Sequence, residues 1–123
     1  IRTQKKLFDL PIIKAFGINS VLDLDTAVHY EDVVDYFLFD AKPDIKNISQ
    51  KGGLNKVFDW KILDSWKGKE FFLAGGININ NIKSAINDTN AFCIDISSGV
   101  EKELGIKDSN MIKEIYTEFK ALV

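Results

Sequence analysis

The sequence predicts an α/β fold with a parallel sheet, built from four consecutive β/α units. Three observations predict it. Four short apolar runs, rich in aromatic and β-branched residues, recur along the 123 residues, and each is too short for an ordinary helix. Segments with helical spacing follow them, so the order reads β-α-β-α-β-α-β-α, which requires right-handed crossovers between parallel strands. The runs are mostly continuous rather than alternating, a pattern expected of strands covered on both faces.

In chain order, the first run is Ile12-Ile13-Lys14-Ala15-Phe16, followed by a helical segment over 20–29 carrying Val21, Leu24, Ala27 and Val28. The second run, Tyr36-Phe37-Leu38-Phe39, opens onto a long irregular stretch over 41–57. Loops of that length inside compact domains are usually functional or disordered. A helix is expected over 59–66 from Trp60, Ile62, Leu63 and Trp66, with Asp59 as N-cap. The third run, Phe71-Phe72-Leu73-Ala74, precedes a helix over 80–87 with Ile82, Ala85 and Ile86 inward. The fourth, Phe92-Cys93-Ile94-Asp95-Ile96, precedes the clearest amphipathic helix, 108–122, whose apolar stripe is Met111, Ile112, Ile115, Phe119 and Leu122. Asp108 or Ser109 can cap it. Nothing else marks a domain boundary, a repeat or a low-complexity stretch.

Composition excludes several function classes. The net charge is −2, and lysines alternate with acids, so no field is built to attract nucleic acid. No apolar run approaches the roughly 20 residues that span a bilayer, and the basic start Ile1-Arg2-Thr3-Gln4-Lys5-Lys6 leads into no signal-peptide core. The one cysteine, Cys93, excludes an internal disulfide and a cysteine-cluster metal site, and fits a reducing cytoplasm. No metal-ligand spacing is present. The chain does not begin with Met, and the expectation is a processed or truncated piece.

Four segments can carry chemistry. In Leu73-Ala74-Gly75-Gly76-Ile77-Asn78 a strand ends in two glycines, which let backbone amides approach a ligand and set an anion near a helix start. A lone glycine pair is more often only a tight turn. In Asp95-Ile96-Ser97-Ser98-Gly99-Val100-Glu101 a second strand runs into small residues able to offer amides and hydroxyls to phosphate oxygens. Taken alone this too is more often a plain loop. Two such turns after consecutive strands favour a shared phosphate site, as at the last two strands of (β/α)8 barrels. Asp40 closes the second run, where barrel enzymes place catalytic groups, and a carboxyl there can serve as general acid or merely cap a loop. Asp95 invites the same argument. Lys56, in Gly52-Gly53-Leu54-Asn55-Lys56-Val57-Phe58-Asp59-Trp60, could meet a carboxylate or phosphate, while Phe58 and Trp60 are expected to anchor the loop in the core. His29 is expected at the surface near a helix end, and Cys93 as a buried, inert thiol.

These segments, in this order, resemble the phosphoribosylanthranilate isomerases over nearly the whole chain. Phe37-Leu38-Phe39-Asp40-Ala41-Lys42 is similar to the family's sixth strand. Gly52 to Trp60 is similar to its Gly-Gly-x-Gly-Lys-x-Phe-Asp-Trp segment, with Asn55 replacing the third glycine. Ala74 to Asn78 matches strand seven, Asp95 to Glu101 matches strand eight, and Gly105-Ile106-Lys107-Asp108 matches the Gly-x-Lys-Asp before the last helix. The resemblance implies half of a (β/α)8 TIM barrel, strands five to eight with the N-terminal half absent, over residues 1–123.

It also implies an activity for the full-length parent: conversion of N-(5′-phosphoribosyl)anthranilate to 1-(2-carboxyphenylamino)-1-deoxyribulose 5-phosphate by Amadori rearrangement, an aldose–ketose isomerisation in tryptophan biosynthesis. By resemblance, Asp40 is the general acid, Gly75, Gly76, Ser97, Ser98 and Gly99 hold the substrate phosphate, and Asp95 orients the substrate, with no cofactor or metal. The family's general base, a cysteine in Lys-x-Cys-Gly on strand one, has no counterpart here, nor does the first-half arginine that meets the anthranilate carboxylate. The chain alone is therefore expected to be inactive, and to pair with the missing N-terminal half or with a second copy of itself. A non-catalytic phosphate-binding or assembly half-barrel is the alternative. A different phosphate-binding barrel would leave the Gly52 to Trp60 segment unexplained.

Overall fold

The computed structural model describes residues 1–41 and 57–123. Lys42, Gly52, Gly53 and Lys56 lie outside the described residues. The strands are β1 (Ile13–Ile18), β2 (Tyr36–Ala41), β3 (Phe71–Leu73) and β4 (Cys93–Ile94), with a hairpin of β5 (Glu101–Glu103) and β6 (Ile106–Lys107). The helices are α1 (Arg2–Phe8), α2 (Val21–Val28), α3 (Ile82–Asn87) and α4 (Ser109–Leu122), with 3₁₀ segments at Trp60–Ser65 and Ser98–Val100. The first four strands form one sheet in the order β1-β2-β3-β4, every pair parallel.

Each crossover forms where apolar spacing and capping agree. On α2 the backbone N–H groups of Asn19 and Ser20 donate to Asp23 Oδ2 at 2.8 and 3.0 Å, closing the helix start, while Leu24 and Ala27 face inward. On α4, Asp108 Oδ1 accepts from the Met111 N–H at 2.9 Å, the cap its sequence implies. The expected helix over 59–66 is a 3₁₀ segment instead. Asp59 does cap it, accepting from the Lys61 N–H. The bonds Ile62 N–H to Asp59 carbonyl and Trp66 N–H to Leu63 carbonyl, however, span three residues, the tighter pitch that short, aromatic-rich connectors adopt.

Two elements escape the sequence reading. α1 buries none of its residues, so it leaves no apolar stripe to recognise. The β5–β6 hairpin turns on Gly105 at φ 79°, with strands too short to show alternation.

The core lies on one face of the sheet only, which corrects the expectation of strands covered on both. Phe37, Phe39, Phe71 and Leu73 are buried, with Ile18, Leu24, Ala27, Ile77, Ile82 and Ala85 packed around them. The Trp66 ring stands edge-on to Phe37 and Phe39 at 5.0 and 5.1 Å. Phe58 is buried and Trp60 packs against the same cluster, both in the core as expected. On the other face, Tyr36, Leu38 and Phe72 are only part-buried. The runs read as continuous because both faces are apolar, yet only the first is fully buried, while on the second the Phe92 ring stacks on Tyr36 and Phe72. Cys93 shares that face, being in register with Phe72. Its thiol is exposed, not buried as expected, because β4 ends the sheet.

Candidate functional site

The C-terminal ends of parallel strands converge on one rim. Asp40 pairs in register with Gly17, so no side chain of β1 crowds it. Side chains two residues apart share a face. Asp40 therefore lies on the open face above Leu38, and Asp95 lies above Cys93. The ladder continues past the formal strand ends, with the Ala74 N–H donating to the Phe39 carbonyl and the Asp95 N–H to the Leu73 carbonyl, each at 2.8 Å. The two carboxylates thus stand on one face at one end of the sheet.

The glycine turn after β3 is bound tightly to that rim. Gly75 and Gly76 take φ of 91° and 67°, a region that side chains with a Cβ rarely adopt. A Cβ on Gly75 would fall onto the Asp40 carboxyl and the Ala41 N–H, so the acid rests directly on the glycine backbone. Asn81 Nδ2 donates to the Gly76 carbonyl at 2.9 Å, and the Asn78 N–H donates to Asn81 Oδ1 at 2.8 Å. These amides fix the turn from below. Sequence reasoning included Asn78 in the glycine segment without a role of its own and did not single out Asn81, although Asn-x-Asn-Asn beside a glycine pair is itself a turn signal.

The glycine turn and the serine turn meet. Gly99 packs so closely on the Ile77 carbonyl that a Cβ there would overlap it. Gly76, Asn78, Ser98 and Gly99, with Met111 from the first turn of α4, line one cleft of about 260 Å³. Ser97 is held from outside that cleft by Lys107, whose Nζ donates to the Ser97 carbonyl at 2.8 Å and to Ser97 Oγ at 3.0 Å. Lys107 also pairs with Glu101 at 2.7 Å. That ammonium, followed by the Gly105 N–H, holds the Glu101 carboxyl below the usual carboxylate range.

The structure therefore brings together Gly75, Gly76, Ser98 and Gly99, with Asp40 against the first and Ser97 behind the third. Asp95 joins them on the rim. Lys56 lies outside the described residues, and His29 sits exposed at the end of α2. Among the described residues, no three His, Cys, Asp or Glu side chains are grouped to hold a metal ion, and no helix is long and apolar enough to cross a membrane.

The family model of N-(5′-phosphoribosyl)anthranilate (PRA) isomerase matches residues 2–118. The chain belongs to this family. It is 41% identical over 122 residues to the N-(5′-phosphoribosyl)anthranilate isomerase of Nitrobacter hamburgensis, covering 98% of this chain and 54% of that protein. The enzyme of Rhodopseudomonas palustris is 38% identical, covering 98% and 57%. The chain thus spans about half the length of the curated relatives it matches. Among solved structures, phosphoribosyl anthranilate isomerase from Thermotoga maritima superposes with a TM-score of 0.78 at 32% identity, over 98% of this chain and 56% of that one. A family structure in complex with reduced 1-(o-carboxyphenylamino)-1-deoxyribulose 5-phosphate gives a TM-score of 0.74 at 29% identity, over 98% and 54%. The four parallel strands match those of phosphoribosylanthranilate isomerase structures.

Proposed function

We propose that this chain is the C-terminal half, strands five to eight, of a (β/α)8 barrel that isomerises N-(5′-phosphoribosyl)anthranilate to 1-(2-carboxyphenylamino)-1-deoxyribulose 5-phosphate. The observation that carries this reading is the contact of the Asp40 carboxyl with the Gly75 turn. The Asp40 side chain thus stands at a turn whose next residue, Gly76, lines a cleft with Ser98 and Gly99, which supports its reading as the general acid. Backbone amides and a serine hydroxyl there suit phosphate oxygens, and the substrate carries its phosphate on the same ribose whose ring must open.

In this reading the Asp40 carboxylic acid donates its proton to the furanose ring oxygen. The C1′–O bond breaks, its electron pair goes to that oxygen, and the anthranilate nitrogen lone pair forms the C1′=N⁺ iminium. A base removes the C2′ proton, and the electrons left behind form C1′=C2′ as the iminium π pair returns to nitrogen. The enolamine then tautomerises to the ketone. Gly75, Gly76, Ser97, Ser98 and Gly99 hold the phosphate end and Asp95 orients the sugar. Cys93 lies on β4 rather than on a first strand, and the Lys-x-Cys-Gly segment that carries the base in the family does not occur in these 123 residues. An upstream Lys-x-Cys-Gly in the gene supports this reading; a gene without it favours the non-catalytic half-barrel. The lone unpaired thiol fits a reducing cytoplasm.

The test is Asp40→Asn in the intact gene product. Loss of a positioned general acid lowers turnover by about 10²–10⁴-fold, with the fold intact by circular dichroism. Turnover near that of the unaltered protein overturns the assignment. A crystal grown in phosphate should carry the anion on the amides of residues 75–76 and 98–99.

A further inference from the structure

We infer that Lys107 is a positioning residue for the phosphate site: it sets the Ser97–Gly99 turn from behind without touching the ligand. The inference rests on the phosphate reading of the cleft given above. Its own basis is the bonding of one ammonium group. A lysine has three N–H donors, and Lys107 Nζ uses all three, on the Ser97 carbonyl, Ser97 Oγ and Glu101 Oε1. It does not line the cleft, whereas Ser98 and Gly99 do. Binding an anion directly would require giving up bonds already made.

The Ser97 carbonyl is the hinge of the arrangement. It accepts from the Val100 N–H at 3.3 Å, closing the 3₁₀ turn, and from Lys107 on its second lone pair. Lys107 is carried by β6, whose register with β5 places it opposite Glu101. The Asp108 N–H, one residue on, donates to the Val100 carbonyl at 2.8 Å. The hairpin is thus a brace: it returns the chain to the base of the turn and delivers a cation there. The cation is paired with Glu101 at the brace, so the cleft gains fixed dipoles rather than net charge. Preoriented amides of this kind bind an anion without reorganising.

The experiment compares the intact gene product with its Lys107→Met and Lys107→Arg variants. It measures the inhibition constant of inorganic phosphate, KM, kcat and thermal unfolding. Lys107→Met should raise the phosphate constant and KM together by about tenfold, roughly 1.4 kcal/mol, because the Ser97–Gly99 turn loses the bonds that orient it, with kcat and the unfolding temperature little altered. Lys107→Arg, which keeps N–H donors, should recover most of the loss. Unchanged phosphate and KM values in Lys107→Met overturn the inference alone, as does a fall confined to kcat or a Lys107→Arg variant as weak as Lys107→Met. If phosphate fails to compete in the unaltered protein, the phosphate reading falls and the inference falls with it.

Discussion

The carboxyl of Asp40 rests on the Cα of Gly75, a contact that exists only because residue 75 has no Cβ. The glycine at φ 91° and the acid are therefore one unit, joining the end of β2 to the turn after β3.

Gly75→Ala should damage that unit twice. The backbone conformation costs about 1–3 kcal/mol for a residue with a Cβ, and the added methyl displaces the Asp40 carboxyl. A misplacement of about 1 Å at a reacting group can cost about 10²-fold in rate. The expected result is a lower unfolding temperature and a fall in kcat of that order in the intact gene product. A variant with the kcat of the unaltered protein shows that Asp40 has no need of the contact.

Gly99→Ala separates packing from backbone strain, because Gly99 is not among the positive-φ glycines. Its new methyl would meet the Ile77 carbonyl and push the two turns apart. Inorganic phosphate should then compete roughly tenfold less well, the loss of about one hydrogen bond to a charged group. Equal competition by phosphate in variant and parent would show that the cleft between the turns is not its site.

At the opposite end of the strands, Asp35 accepts from the Ile12 N–H at 2.7 Å and from Lys5 Nζ at 3.0 Å. These partners, the backbone amide first, hold its carboxyl below its ordinary value of 3.8. A lowered native value means the folded state prefers the carboxylate. The stabilisation is complete above the ordinary value and disappears as pH falls through the lowered one. Asp35→Asn should therefore lower the unfolding temperature at neutral pH, and the gap from the parent should close in strong acid. A gap that stays constant down to that range refutes the linkage.

The chain by itself should self-associate and show no isomerase turnover. β1 and β4 are the edges of the sheet, and unpaired edges recruit partners. An apolar groove of about 440 Å³ runs between β4 and α4, with Phe92, Ile112 and Tyr116 each 44–60% exposed. Each such side chain gains about 1.5–3 kcal/mol on full burial. Light scattering and an isomerase assay on the isolated chain check this; a monodisperse monomer, or measurable turnover, refutes it.

The sequence by itself determined the order of the four parallel strands and of α2, α3 and α4, because local apolar period and caps such as Asp108 act within a few residues. It also located the glycine turn, the serine turn and Asp40, because strand ends followed by small residues are local patterns. The tertiary structure alone decided what those residues touch. That Asp40 sits on Gly75, that Gly99 seats against Ile77, and that Lys107 reaches back to Ser97 are relations between separate strands, fixed by sheet register rather than by any nearby residue. Burial was decided the same way. Leu38, Phe72 and Cys93 read as core from their composition, but composition states only that a face is apolar, and whether anything covers it depends on what packs there. α1 escaped the sequence reading for the converse reason, since a helix that buries nothing carries no periodic signal.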